Sequence, residues 1–179
     1  MEEWNREFEN MLKESADKAQ FYNWTHLKSY KKYKTINNLF TIPVIVISGI
    51  CGSINLSHIF ETYSSSLIFG IMNMVISIIV IVYQYLKIPE TGQEHRGSAR
   101  AWGKFYEYIK GELDKNPADR EEPSRLLRYC VQHSDHIISF SPGISEGDVK
   151  IFQETHRNTI VPRVFYNTRS VVESQETLV

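Results

Sequence analysis

From Leu39 to Leu86 the chain contains no lysine and no arginine, and the only acid in that stretch is Glu61. Residues 39–56 (LFTIPVIVISGICGSINL) and 67–86 (LIFGIMNMVISIIVIVYQYL) carry no charge at all. A helix of a soluble domain keeps a polar face toward water, so two such runs exclude an ordinary pair of amphipathic helices. Cysteine is nearly absent. Cys51 and Cys130 are the two present, and Cys51 lies inside the first apolar run, which excludes a disulfide framework. A basic excess is also lacking. The net charge is −1 and no long block of like charge occurs, so nucleic acid is not expected as a partner. No nucleophile elbow, phosphate loop or His/carboxylate pattern occurs. Gly143-x-x-x-Gly147 lacks the Lys-Ser/Thr of a phosphate loop, so neither enzymatic activity nor a cofactor is expected. The opening Met-Glu-Glu-Trp has no basic n-region or apolar h-region, so the first apolar run is expected to act as its own insertion signal.

What the chain does have is length in the right places. At about 1.5 Å per residue the two runs reach roughly 27–30 Å as helices, the thickness of a bilayer's hydrocarbon core. They predict an all-α integral membrane protein with a two-helix transmembrane hairpin at residues 39–88. Lys28, Lys31, Lys32 and Lys34 precede it, and Lys87, Arg96, Arg100 and Lys104 follow it. The positive-inside rule then puts both termini in the cytoplasm. Tyr30, Tyr33, Phe60, Tyr63, Tyr83 and Tyr85 fall where interfacial aromatic belts are expected.

Around the hairpin, residues 1–38 read as a long amphipathic helix, with Trp4, Phe8, Met11 and Leu12 at helical spacing. The pair Asn37-Asn38 is expected to interrupt it before the membrane. Pro43 is expected in the first turn of the span, where its missing N–H costs least. Pro89-Glu-Thr-Gly92 is expected to break the chain after the second span. Residues 89–160 then form a cytoplasmic helical region. Its first helix, residues 94–114, has a face of Ala99, Trp102, Phe105, Ile109 and Leu113. A second runs from Pro123 to about Ile138, with Leu126, Leu127, Cys130, Val131, Ile137 and Ile138 on its apolar side. A third begins after Ser145 and ends near His156, with Val149 and Phe152 facing inward. Residues 161–179 read as a polar tail.

Polar residues in the spans are the candidate functional positions. Asn73, Ser77 and Gln84 fall within roughly 40° of one another on a helix, with Gly70 close by. Thr41, Ser48, Gly52 and Asn55 form a comparable face on the first span. Amides left bare in hydrocarbon cost several kcal/mol by order of magnitude, so these faces should meet protein or water. One reading makes them glue between helices or protomers, with Ser48, Gly49, Gly52 and Ser53 allowing close backbone approach. The other makes Asn73, Ser77 and Gln84 the wall of a water-filled path for ions in a homo-oligomer. The lack of charged residues argues against a proton relay or a charged selectivity ring.

Cys130-x-x-His133-x-x-His136 has helical spacing for a shared ion. Its outer members lie about 120° apart around the helix and no fourth ligand is evident, so no metal site is expected. The terminal Thr177-Leu178-Val179 has the form that PDZ domains bind by strand addition, which suggests a membrane-bound adaptor as a further alternative.

The layout and the motif His95-Arg96-x-Ser98-Ala99-x-x-Trp102-x-x-Phe105 resemble the SLATT family, the SMODS- and SLOG-associating two-transmembrane effectors. The segment from Ile42 to Ile50 and Ile109-x-x-Glu112-Leu113 are similar to that family too. The resemblance covers roughly residues 5–140 and is narrower to members carried by large DNA viruses. It implies a membrane effector that oligomerises into pores, and it supplies no catalytic residues. The viral likeness, with no sensor domain expected in this stretch of chain, suggests a virion or infected-cell membrane protein instead of a conflict-system effector. The expectation is a lipid-embedded homo-oligomer forming a channel-like assembly. Trp4, Phe8, Trp102, Phe105 and Ile109 would serve as packing anchors. The alternative is a structural viral or organelle membrane protein whose cytoplasmic helices dock a capsid or coat.

Overall fold

The computed structural model describes residues 4–57 and 63–156, with the side chains of 54–66 left out. Among the described residues the chain is all-α and contains no strand. Its helices are α1 (Arg6–Ser57), α2 (Tyr63–Tyr85), α3 (Ile88–Asp114), α4 (Pro123–Phe140) and α5 (Glu146–Thr155), with a 3-10 turn at Pro117–Asp119. By length and composition, α1 and α2 each contain a stretch able to cross a membrane. The chain divides into two compact units. One is Tyr30–Gln93, and the other is made of the described residues before and after it.

The helix boundaries differ from expectation in three places. Asn37-Asn38 does not interrupt α1, which runs unbroken for 52 residues. Two asparagines cost only about 0.5–0.7 kcal/mol each in a helix interior, too little to end it when the backbone bonds on both sides continue. Pro43 therefore lies deep inside α1 and not in a first turn. There it removes the N–H that would bond the carbonyl one turn back. The break after α2 lies at Leu86-Lys87, ahead of Pro89. Lys87 makes it by adopting φ 47°, a left-handed conformation unusual for a side chain with a Cβ. Pro89 then sits in the first turn of α3, where no intrahelical donor is required.

The unit formed by residues 30–93 has little interior. Ile42, Ile45, Leu67, Met74 and Ile81 are all more than half exposed. Its buried hydrophobic side chains among the described residues are Cys51 and Ile88. The two helices are tied by polar and aromatic contacts at Asn37, Phe40 and Tyr83. The Tyr83 hydroxyl donates to Asn37 Oδ1, and the Phe40 and Tyr83 rings lie 6.2 Å apart. Near the unit's other seam a Cβ on Gly92 would stand 3.2 Å from Tyr33 Cβ, so a glycine there lets the backbones approach closely.

The other unit has a conventional core. It is built from Leu12, Ala16, Ala19, Phe21 and Tyr22 of α1, Trp102, Phe105 and Ile109 of α3, Leu126, Cys130 and Ile137 of α4, and Val149 and Phe152 of α5. These positions repeat three and four apart, so each helix buries one stripe. Phe21 and Trp24 both meet Phe152 edge-on, at 4.9 and 5.3 Å, which seats α5 on α1. Of the residues expected on inward faces, Met11 is 49% and Val131 60% exposed, and Phe8 and Leu127 are half-buried outside the core cluster. On α1 the inward places go to Leu12, Ala16, Ala19, Phe21 and Tyr22, which leaves Met11 on the outer side.

Candidate functional site

The polar face of α2 stands open. Gly70, Asn73, Ser77 and Gln84 are all exposed, among the exposed Ile71, Met74, Ile78 and Ile81. The Ser77 hydroxyl is already engaged: it donates to the Asn73 carbonyl one turn earlier at 2.8 Å. Ser53 does the same to Gly49, at 2.9 Å. A serine paired in this way needs no partner from another helix. The exposed amides of Asn73 and Gln84 are therefore the groups on this face that ask for one. On α1, Ser48, Gly49 and Gly52 are exposed and Thr41 is half-buried. A Cβ on Gly49, Gly52 or Gly70 would meet nothing within 4 Å. These glycines are not packed against another helix within the single chain. The side chain of Asn55 and the terminal Thr177-Leu178-Val179 lie outside the described residues.

Trp102 and Phe105 occupy the core of the other unit, 0% and 2% exposed. Trp102 lies flat on Tyr22 and Phe105 faces His133, with ring separations of 4.7 and 5.1 Å. Trp4, also expected as an anchor, is half-buried. Its indole N–H donates to the Glu121 carbonyl at 3.1 Å under the Arg120 guanidinium. Cys130, His133 and His136 do not converge. Cys130 is buried and burial pushes its thiol up to about 11, His133 stacks on Tyr129, and His136 turns outward beside Phe140. Among the described residues no three His, Cys, Asp or Glu side chains gather as metal ligands.

A buried polar cluster that the sequence reading passed over lies between α1, α3 and α5. His26 and His95 face each other with Nδ1 atoms 2.9 Å apart, and the two residues are 0% and 3% exposed. Between neutral rings this contact requires one Nδ1 to carry a hydrogen and the other to accept it. The Nε2 of His26 is buried without a hydrogen-bond partner. One turn along α1, the Ser29 hydroxyl donates to Asp148 Oδ2 of α5 at 2.9 Å, and both residues are buried. Thr25 satisfies itself on the Phe21 carbonyl at 2.7 Å. Burial, then the neighbouring His95, holds the His26 pKa down at about 4. Burial also lowers that of His95, against an opposing pull from Asp148 and then Glu94. Both rings are neutral at pH 7.

The signal for this cluster was present but silent. Tyr22, His26 and Ser29 repeat at four and three on α1, as His95, Ser98, Ala99 and Trp102 do on α3. That spacing places both histidines on buried faces. Nothing local shows that the two faces meet, since the residues are 69 apart in sequence. Comparison with family models, with curated proteins and with solved structures finds no match to this chain.

Proposed function

We propose that this chain is an integral membrane protein that assembles through its two-helix hairpin into a channel-like homo-oligomer, with both termini in the cytoplasm. The observation that carries the reading is the exposure of Asn73 and Gln84 among the bare isoleucines, valines and methionines of α2. Those apolar side chains have no protein over them within one chain, and a bilayer covers such a surface without any other partner. The two amides are then the misfit. In acyl chains each costs several kcal/mol by order of magnitude unless protein or water receives it. A second copy supplies both remedies, an amide partner across an interface or a shared aqueous path. The exposed Gly49, Gly52 and Gly70 leave room for close approach of that copy. The layout of the SLATT family, which the chain resembles, supports the same reading.

The test is reconstitution of the full chain in planar bilayers, with the oligomeric state measured in nanodiscs. The expected result is a closed oligomer with stepwise conductance that Asn73→Leu or Gln84→Leu changes. A monomer that stays silent at all voltages and calcium levels would end the proposal. An oligomer without conductance would favour the structural alternative, in which the helices of residues 89–160 dock a capsid or coat.

A further inference from the structure

We propose that the His26–His95 contact is an acid-operated joint that closes α1 onto α3 while it carries one proton or none and opens when both rings are protonated. At 2.9 Å between Nδ1 atoms, the contact accommodates one shared hydrogen. A first added proton is compatible with it, because a doubly protonated His95 still donates its Nδ1–H to the bare Nδ1 of His26. A second puts N–H against N–H and one cation against another in a site closed to water. No rotation of the rings in place removes both conflicts, so α1 and α3 must part at this level.

The surroundings settle the order. Tyr22 from α1 stacks beside His26, and the charged groups acting on the pair include Glu94 from α3 and Asp148 from α5. Both carboxylates act on His95, so His95 takes the first proton. Asp148 is itself held to α1 by the Ser29 hydroxyl, which keeps that charge in place. His26 has no carboxylate of its own, and because its Nε2 already carries the ring's hydrogen, a second proton must enter at Nδ1, against the Nδ1–H of His95. Once the joint is open His26 reverts to the ordinary value near 6.5, whereas closed it lies at about 4. A group that binds fewer protons in the closed form favours closure at high pH and loses that advantage as the pH falls. The loss begins near pH 6.5 and is complete near pH 4. By linkage, His26 alone raises the open fraction about 30-fold between pH 7.5 and pH 5.

The joint is read with a reporter on the same seam. Ser98 is buried on α3, one turn from His95 and one from Trp102. Ser98→Cys, in a full-length chain with Cys51→Ala and Cys130→Ala, is reacted in neutral detergent with a dithiodipyridine, which labels thiols at acid pH. Its rate relative to a free thiol should rise about 30-fold from pH 7.5 to pH 5. In His26→Gln the rise should shrink to a few-fold. A rate ratio that stays flat to pH 4.5, or one that climbs equally in His26→Gln, overturns the proposal. Imidazole nitrogen shifts of the unsubstituted chain give an arm independent of variants. They should show opposite tautomers at pH 7.5 and two separate protonations, His95 before His26. One joint step near the ordinary histidine value would equally overturn it.

Discussion

Tyr22 and Trp102 lie face to face, ring centroids 4.7 Å apart and planes inclined by 15°, at the centre of the α1–α3 seam. Tyr22 is buried to 8% exposure, and Trp102, at 0%, is the largest fully buried side chain in the unit. Trp102→Ala should therefore cost about 3–5 kcal/mol, the usual penalty for emptying an aromatic site. Trp102→Phe should cost much less, because it keeps the stack and deletes an indole N–H that is buried without a partner. Thermal unfolding followed by near-ultraviolet circular dichroism in detergent measures both.

Gly103 faces the same seam. A Cβ there would come within 2.9 Å of Asn23 Nδ2. That amide is not free to swing away, since it donates to the Ala99 carbonyl at 2.6 Å. Gly103→Ala should destabilise by about 1–3 kcal/mol despite the better helix propensity of alanine. Combining it with Asn23→Ala should cost less than the two separately, because the second change removes the obstacle to the first. A strictly additive pair would show that the clash is not the cause.

Arg120 fastens the connector between α3 and α4 to α1. Its guanidinium pairs with Glu9 at 2.7 Å, donates to the Leu113 and Lys115 carbonyls at 2.9 and 3.0 Å, and covers the Trp4 ring. Arg120→Ala leaves the part-buried Leu113 carbonyl without its donor and uncovers Trp4, and should cost about 2–3 kcal/mol. Glu9→Gln removes charge alone and should cost clearly less, since Glu9 is partly open to solvent. The side-chain hydrogen bond from Arg120 holds the Glu9 carboxyl below its ordinary value. Its contribution is complete above pH 4.5 and fades as the pH falls through the lowered value. Denaturant midpoints of the two variants at pH 7 and pH 4 check the order and the convergence.

Cys130 should be inert while the fold holds. It is 2% exposed and its thiol sits at about 11, so almost none is thiolate at neutral pH. In a Cys51→Ala chain, maleimide should label Cys130 at pH 7 only as fast as the helical unit unfolds. Labelling near the rate of a free thiol would mean that α4 does not pack as described.

The local part of this architecture was open to reading. Ala99, Trp102, Phe105 and Ile109 announce the buried stripe of α3 by spacing alone, and all are buried. Pro123 and Ser145 mark the starts of α4 and α5: proline suits a first turn, and Ser145 stands at the N-cap position although its hydroxyl makes no capping bond. Asn37-Asn38 misled, since turn residues are weak breakers inside a helix that neighbours hold on both sides. Met11 misled as well: on α1 Leu12, Ala16, Ala19 and Tyr22 carry the contact face and Met11 lies outside it.

The amino-acid sequence by itself determined the helical class, the two uncharged apolar runs and most of the inward stripes, because each follows from a period of 3.6 residues or from uninterrupted apolarity. Only the tertiary structure decided that His26 meets His95, that Ser29 holds Asp148 and that Arg120 reaches Glu9, pairs separated by 69, 119 and 111 residues. Spacing along a helix states which side chains share a face, but not which other face comes to lie against it. That depends on packing between distant elements, where a ring or a carboxylate gains its partner and loses its water together.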